Sequence, residues 1–185
     1  GLGDVYKRQG RTSSPTKMTT KPYFPEQGTS ASNFAAAKFL DAIARMPGCC
    51  GFNADATSAY TQVLLDDMDE AVQTWISLPP RKRLANWSKI DSLVCILRVN
   101  LYGHPLAGLW WKLHCEKQVL SLGFVRAEGH ECLFVHEELK VFLAVYVDDF
   151  KFAGLQANVE TLIKKLRLKI SMDDPIPLER DTYLG

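Results

Sequence analysis

From residue 34 onward, the apolar positions fall into blocks whose period changes along the chain. Phe39, Leu40, Ile43 and Met46 recur at helical spacing with alanines between them, and the run stops at Pro47-Gly48, so a helix is expected over residues 34–46. Residues 50–55 alternate loosely and read as a strand that ends in Asp55. Residues 72–78 read as a strand halted by Pro79-Pro80, and residues 94–99 as another, with a polar surface insertion over 81–92 between them. Pro105 suits the first turn of a helix, whose apolar face would carry Leu106, Trp110, Leu113 and Leu120. Short strands then follow from Gly123, and the last two are separated only by Asp148-Asp149, the mark of a hairpin. Val159, Leu162, Ile163, Leu166 and Ile170 trace one face of a closing helix, with Asn158 as its N-cap. Antiparallel strands interspersed with helices predict an α+β fold, an antiparallel sheet with helices packed on one face.

Composition changes this picture little. The chain has 185 residues, enough for one domain with a sizeable core, and 46% of them are hydrophobic. No apolar run approaches the length of a membrane span, so no membrane partner is expected. Residues 1–33 lack any period and read as a disordered or artefactual arm, the first ten resembling translated adapter sequence. The second unit expected is 34–185. The net charge of +1 has its basic excess before position 55. The remainder is slightly acidic, without the basic stripe of a protein that grips a duplex unaided. Five cysteines without a Cys-x-x-Cys suggest neither a disulfide framework nor a zinc ribbon. The four histidines are too irregularly spaced from Cys115 and Cys132 to suggest a zinc site.

The chemical signal is Tyr146-Val147-Asp148-Asp149 between two apolar strands. Adjacent carboxylates at a hairpin tip offer oxygen ligands to a hard cation. Two of them about 4 Å apart repel by roughly 4 kcal/mol at an effective dielectric near 20. Such a cluster therefore calls for solvent, protons or metal. Asp55, at the end of its own strand, is the candidate third member if that strand lies beside the hairpin. Asp-Asp is also a common turn pair, so position between the two strands carries the argument more than the letters do.

With these residues in view, the chain resembles the reverse transcriptases of copia-type (Pseudoviridae-like) retrotransposons. Apolar strand, Tyr-Val-Asp-Asp, then a strand ending in Ala153-Gly154 is similar to that family's catalytic hairpin. Asp55, Tyr60 and Gln62 fit the first palm segment, Leu101-Tyr102-Gly103 with Trp111 fits a second, and Gly123-Phe124 with Cys132-Leu133-Phe134 a third. Tyr183-Leu184-Gly185 resembles the strand after the palm helix, so the likeness runs over residues 32–185. It implies a truncated palm domain with a ferredoxin-like core, fingers and thumb largely missing. It implies RNA-directed DNA polymerase activity by two-metal nucleotidyl transfer. Asp55, Asp148 and Asp149, with the Ala56 carbonyl, would hold two Mg²⁺ ions, Mn²⁺ being an alternative. Tyr60 would lie under the sugar and obstruct a 2′-hydroxyl; Gln62, Gly103 and Tyr146 would border the nucleotide. The partners implied are a primed RNA or DNA template, deoxynucleoside triphosphates and the integrase and RNase H regions of a Pol polyprotein, in a cytoplasmic particle.

The chain departs from the commoner family pattern after Gly103. Pro105, Leu106 and Leu109 stand where a Lys-Gln pair and an Arg are usual, and the upstream cationic strands have no counterpart in residues 11–33. Weak or absent activity is therefore expected of this chain by itself. Trp110 and Trp111 read as helix packing, and the basic runs 81–83 and 164–165 as solvated faces. The competing functions are a decayed, non-catalytic nucleic-acid-binding module on a palm-like sheet, and another palm-type nucleotidyl transferase such as a cyclase.

Overall fold

The computed structural model describes residues 6–7, 34–68, 73–87, 90 and 93–178. Its α-helices are α1 (Phe34–Ala44), α2 (Ala107–Leu120) and α3 (Gln156–Arg167). Its strands are β1 (Tyr6–Lys7), β2 (Cys49–Asp55), β3 (Thr74–Ser77), β4 (Val94–Ile96), β5 (Val125–Arg126), β6 (Leu133–His136), β7 (Val141–Tyr146), β8 (Asp149–Leu155) and β9 (Ile176–Pro177). The fold is α+β. Six strands form one sheet in the order β5-β6-β7-β8-β2-β9, and β1, β3 and β4 form a smaller one. All the pairings are antiparallel. Tyr6–Lys7 pairs with Thr74–Trp75, so those two of the first ten residues do enter the fold. The remainder of the expected arm, and the Tyr183-Leu184-Gly185 block, lie outside the described residues.

The central strand β8 explains the layering. Residues 150–154 are buried without interruption, which requires cover on both faces. Phe150 and Phe152 point to one side and pack with Leu143 of β7 and with α2 and α3 through Trp110, Trp111, Leu162 and Leu166. Ala153 points to the other side, where Ala36 and Leu40 of α1 close over it with Ala144. The expected single helical face is thus corrected: α2 and α3 cover one face, α1 the other. The five-residue buried run in β8 contained that information. Gly154 completes the strand at a place where a side chain has no room, since a Cβ there would sit 2.4 Å from the Lys140 carbonyl oxygen.

Three local expectations change for physical reasons. The hairpin loop is Val147-Asp148, one residue earlier than expected, because Tyr146 and Asp149 pair as the closing residues of β7 and β8. On α2, Leu113 and Leu120 stay largely exposed and the buried stripe is Ala107, Trp110, Trp111, Cys115 and Val119; the two indoles take the sheet-facing side. Leu155 rather than Asn158 caps α3, and the Asn158 amide donates instead to the Leu139 carbonyl at 2.7 Å.

The two sheets are joined through His104. Its ring stacks on Trp110 of α2 with centroids 4.5 Å apart, and its Nε2 lies 3.4 Å from the Thr74 hydroxyl of β3. Its Nδ1 accepts from the Leu106 amide at 3.1 Å, which requires the neutral ring. Burial lowers the His104 pKa below its ordinary 6.5. The unfolded chain therefore takes up this proton first. Stability from His104 is complete above pH 6.5 and is lost as pH falls from there to the folded-state value. Urea unfolding on either side of that pH is expected to show the decline, and His104→Gln to flatten part of it. A slope unchanged in the variant would assign the effect elsewhere.

Candidate functional site

The site is built by strand register. β2 and β8 run antiparallel with Asp55 directly across from Asp149. The Ala56 amide donates to the Asp148 carbonyl at 2.8 Å, which makes Asp55 and Asp149 a non-hydrogen-bonded pair. In such pairs the Cα atoms are about 4.5 Å apart and the side chains stand closest. Asp148 occupies the loop immediately before Asp149. Three aspartates separated by some ninety residues of chain therefore meet at one corner of the sheet.

Asp149, Lys151 and Ala153 share a face of β8, and Lys151 binds Asp41 of α1 at 2.7 Å. The carboxylate pair begins two positions further along that face. Asp55 and Asp148 are exposed and Asp149 is half-buried.

Asp55 has an acidic neighbour on its other side as well. The Ala56–Met172 bridge sets Asp173 opposite Asp55, with the Asp173 amide donating to the Asp55 carbonyl at 2.9 Å. The Thr57 hydroxyl donates to Asp173 Oδ1 at 3.1 Å. Asp173 was not among the residues expected at the site; its signal was the Met-Asp-Asp that follows the closing helix.

The loop after β2 is held by one side chain. Gln62 donates to the Thr57 and Ser171 carbonyls at 2.8 and 2.9 Å and accepts from the Ser171 amide at 2.8 Å. Its amide thus braces the backbone on both sides of the loop. Tyr60 lies in the short 3₁₀ turn between those anchors, its ring 4.6 Å from that of Tyr102. Tyr102 and Gly103 are the central residues of a turn closed by the His104 amide on the Leu101 carbonyl, and Gly103 has φ +85. That conformation is the second central position of a type II turn, where glycine fits without strain. Buried Asn100 ties the turn down, accepting from the Leu101 amide and donating to the Ala107 carbonyl, both at 2.9 Å. Tyr146 closes the hairpin opposite Asp149 and is half-buried.

Burial raises the Tyr60 phenol pKa above its ordinary 10.0, and the negative charge of Asp148 and the neighbouring Tyr102 raise it further. Tyr60 thus feels the hairpin tip across the site. Asp148→Asn is expected to bring the Tyr60 pKa down, read by tyrosinate absorbance against a Tyr60→Phe control. No change would place the phenol outside the field of the carboxylates.

The hairpin tip carries a conformational anomaly. Val147 has φ +54, a region β-branched residues avoid. Such a conformation costs about 1–3 kcal/mol and persists only where neighbours impose it. Trp111 of α2, buried, donates its indole N–H to the Val147 carbonyl at 2.5 Å.

The donor set suits a hard divalent ion by chemistry, being carboxylate oxygens with the Ala56 carbonyl at the same corner. In a strand the N–H and C=O of one residue point the same way, so the Ala56 carbonyl faces the hairpin as its amide does. Among the described residues, no three His, Cys, Asp or Glu side chains are gathered around a single point as ligands. Backbone register brings the aspartates to one corner of the sheet, where like charges repel. Among the described residues, no helix is long and apolar enough to cross a membrane. Comparison with family models, curated proteins and solved structures returned no match for this chain.

Proposed function

We propose that this chain is the palm portion of a copia-type reverse transcriptase, an RNA-directed DNA polymerase that uses Mg²⁺ to add deoxynucleotides to a primer 3′-hydroxyl. One observation carries the reading: Asp55, distant in sequence, lies opposite Asp149 in a close cross-strand pair with Asp148 beside it. Like charges directly opposed destabilise a sheet, so the pairing makes sense as a ligand set. The four ordered sequence blocks support the same reading.

In this proposal Asp55, Asp149 and Asp148 hold two divalent ions, with the Ala56 carbonyl as a further ligand. Bound there, the ions lower the pKa of the attacking hydroxyl and offset charge on the leaving pyrophosphate. Tyr60, backed by Tyr102, walls the side of the site next to Asp148 and excludes a ribose 2′-hydroxyl by obstruction. Gln62 keeps Tyr60 in place by bracing its turn. Primed template, deoxynucleoside triphosphates and the rest of a Pol polyprotein are the partners this function needs.

The test has two parts. Mn²⁺ titration of the whole chain, followed by paramagnetic broadening, is expected to show binding that disappears in Asp148→Asn. Primer extension with Mg²⁺ or Mn²⁺ is expected to be weak, since the matched blocks cover the palm alone. Absence of Mn²⁺ binding by the wild-type chain, or binding indifferent to Asp55 and Asp148, would reject the proposal.

A further inference from the structure

We infer that Trp111 is a positioning residue for the candidate cation site, a latch that holds the hairpin tip in its left-handed conformation and so fixes where Asp148 stands. The inference rests on the cation-site reading for its functional consequence, but its structural content stands separately.

The argument begins with the loop. Two residues connect β7 to β8, and the first of them, Val147, has φ +54. Hairpin loops favour positive φ because it matches the twist of the strands, but they normally use Gly, Asn or Asp for it. Val147 has a branched Cβ that opposes this conformation, so the loop needs an outside partner. The carbonyl of Val147 accepts the Trp111 indole N–H at 2.5 Å. That bond fixes the direction of the peptide plane between Val147 and Asp148, and hence the starting vector of the Asp148 side chain.

Trp111 is suited to this task by its rigidity. Its ring is 2% exposed and belongs to the main core, packed among residues of α2, β7 and β8. Indole offers one donor and no acceptor, so the bond has a single sense. A phenylalanine would fill much of the same space without donating. The neighbouring Trp110 is equally buried but stacks on His104, so the two indoles divide the work: one joins the sheets, the other reaches the hairpin.

The experiment uses the whole chain in three forms besides wild type: Trp111→Phe, Val147→Asn, and the two together. Asparagine tolerates positive φ, so Val147→Asn removes the reason for the latch. Two readouts are taken, amide hydrogen exchange at residues 147–149 and Mn²⁺ affinity. Trp111→Phe is expected to speed exchange at the tip while leaving the middle of β7 and β8 protected. It should also weaken Mn²⁺ binding by about tenfold, the lower range for losing an outer partner of a metal ligand. Adding Val147→Asn should restore both. A generally loosened core would not be repaired from position 147, so failure of the rescue would overturn the latch, as would tip exchange unchanged in Trp111→Phe. If wild type binds no Mn²⁺, the palm reading fails while the exchange arm still decides whether Trp111 holds the tip.

Discussion

Asparagine at position 55 or 149 is expected to give a protein that is more stable without divalent cations and blind to them. The two carboxylates oppose each other at a non-hydrogen-bonded pair, the closest cross-strand arrangement available. Neutralising one removes a like-charge contact worth roughly 0.2–1 kcal/mol, which raises the melting temperature by up to about 4 °C in a chain of this size. The same change removes a ligand, and Mn²⁺ affinity should fall by about a hundredfold or more, beyond what loss of an outer partner costs. Asp148→Asn separates the two effects. Asp148 lies in the loop rather than across from another carboxylate, so it should lose affinity without the gain in stability. Wild type, in turn, should gain about 2.7 kcal/mol when Mg²⁺ is raised to a hundred times its dissociation constant. Melting curves of the four proteins with and without Mg²⁺ decide the matter. If Asp55→Asn melts lower than wild type in chelator, the pair is not repulsive and the cation argument loses its physical basis.

Much of this corner was legible in the sequence because it rests on short-range signals. A strand ending in Asp55 and a hairpin around 146–149 follow from apolar alternation broken by polar residues. What alternation could not supply was register. A shift of one residue turns every side chain to the other face. It is the Tyr146–Asp149 closing pair that sets Asp149 inside the strand and across from Asp55. The sequence-level turn at Asp148-Asp149 would have placed Asp149 in the loop instead.

Other features were hidden for related reasons. Asp173 enters the site through a bridge between residues more than a hundred positions apart, and the local Met-Asp-Asp does not say which strand it will lie against. Gln62 fits a nucleotide-contacting place in the family pattern, yet its three hydrogen bonds to Thr57 and Ser171 bind it to backbone. Trp111 reads correctly as packing, but its ring also spends its one polar atom on the hairpin. The helix α1 was expected, but not the face of the sheet it covers, since helical spacing does not say on which side of a sheet a helix packs. Ala36 and Ala37 bury as completely as larger residues while contributing little to an apolar stripe.

Lys151 offers the largest expected effect on stability, and it borders the same site. A lysine in the middle of β8 with a side chain 3% exposed is held by Asp41 of α1 at 2.7 Å. Removing one partner of a buried ion pair costs about 3–5 kcal/mol, whereas replacing the charge by an apolar group of similar volume is neutral or stabilising. Asp41 is partly open to water, which favours the lower end of that range. Asp41→Ala is therefore expected to destabilise by about 3 kcal/mol, lowering the melting temperature by roughly 6–12 °C. Lys151→Met should melt close to wild type or above it, and the double variant should recover most of the loss. There is a second consequence. Lys151 and Asp149 point to the same face two residues apart, about 6.6 Å along the strand. An ammonium deprived of Asp41 is drawn toward the carboxylates of Asp149 and Asp55, so Asp41→Ala should also weaken Mn²⁺ binding while Lys151→Met leaves it intact or strengthens it. Equal Mn²⁺ affinity in Asp41→Ala and wild type would show that α1 holds the helical layer only and has no part in keeping the lysine's charge away from the site.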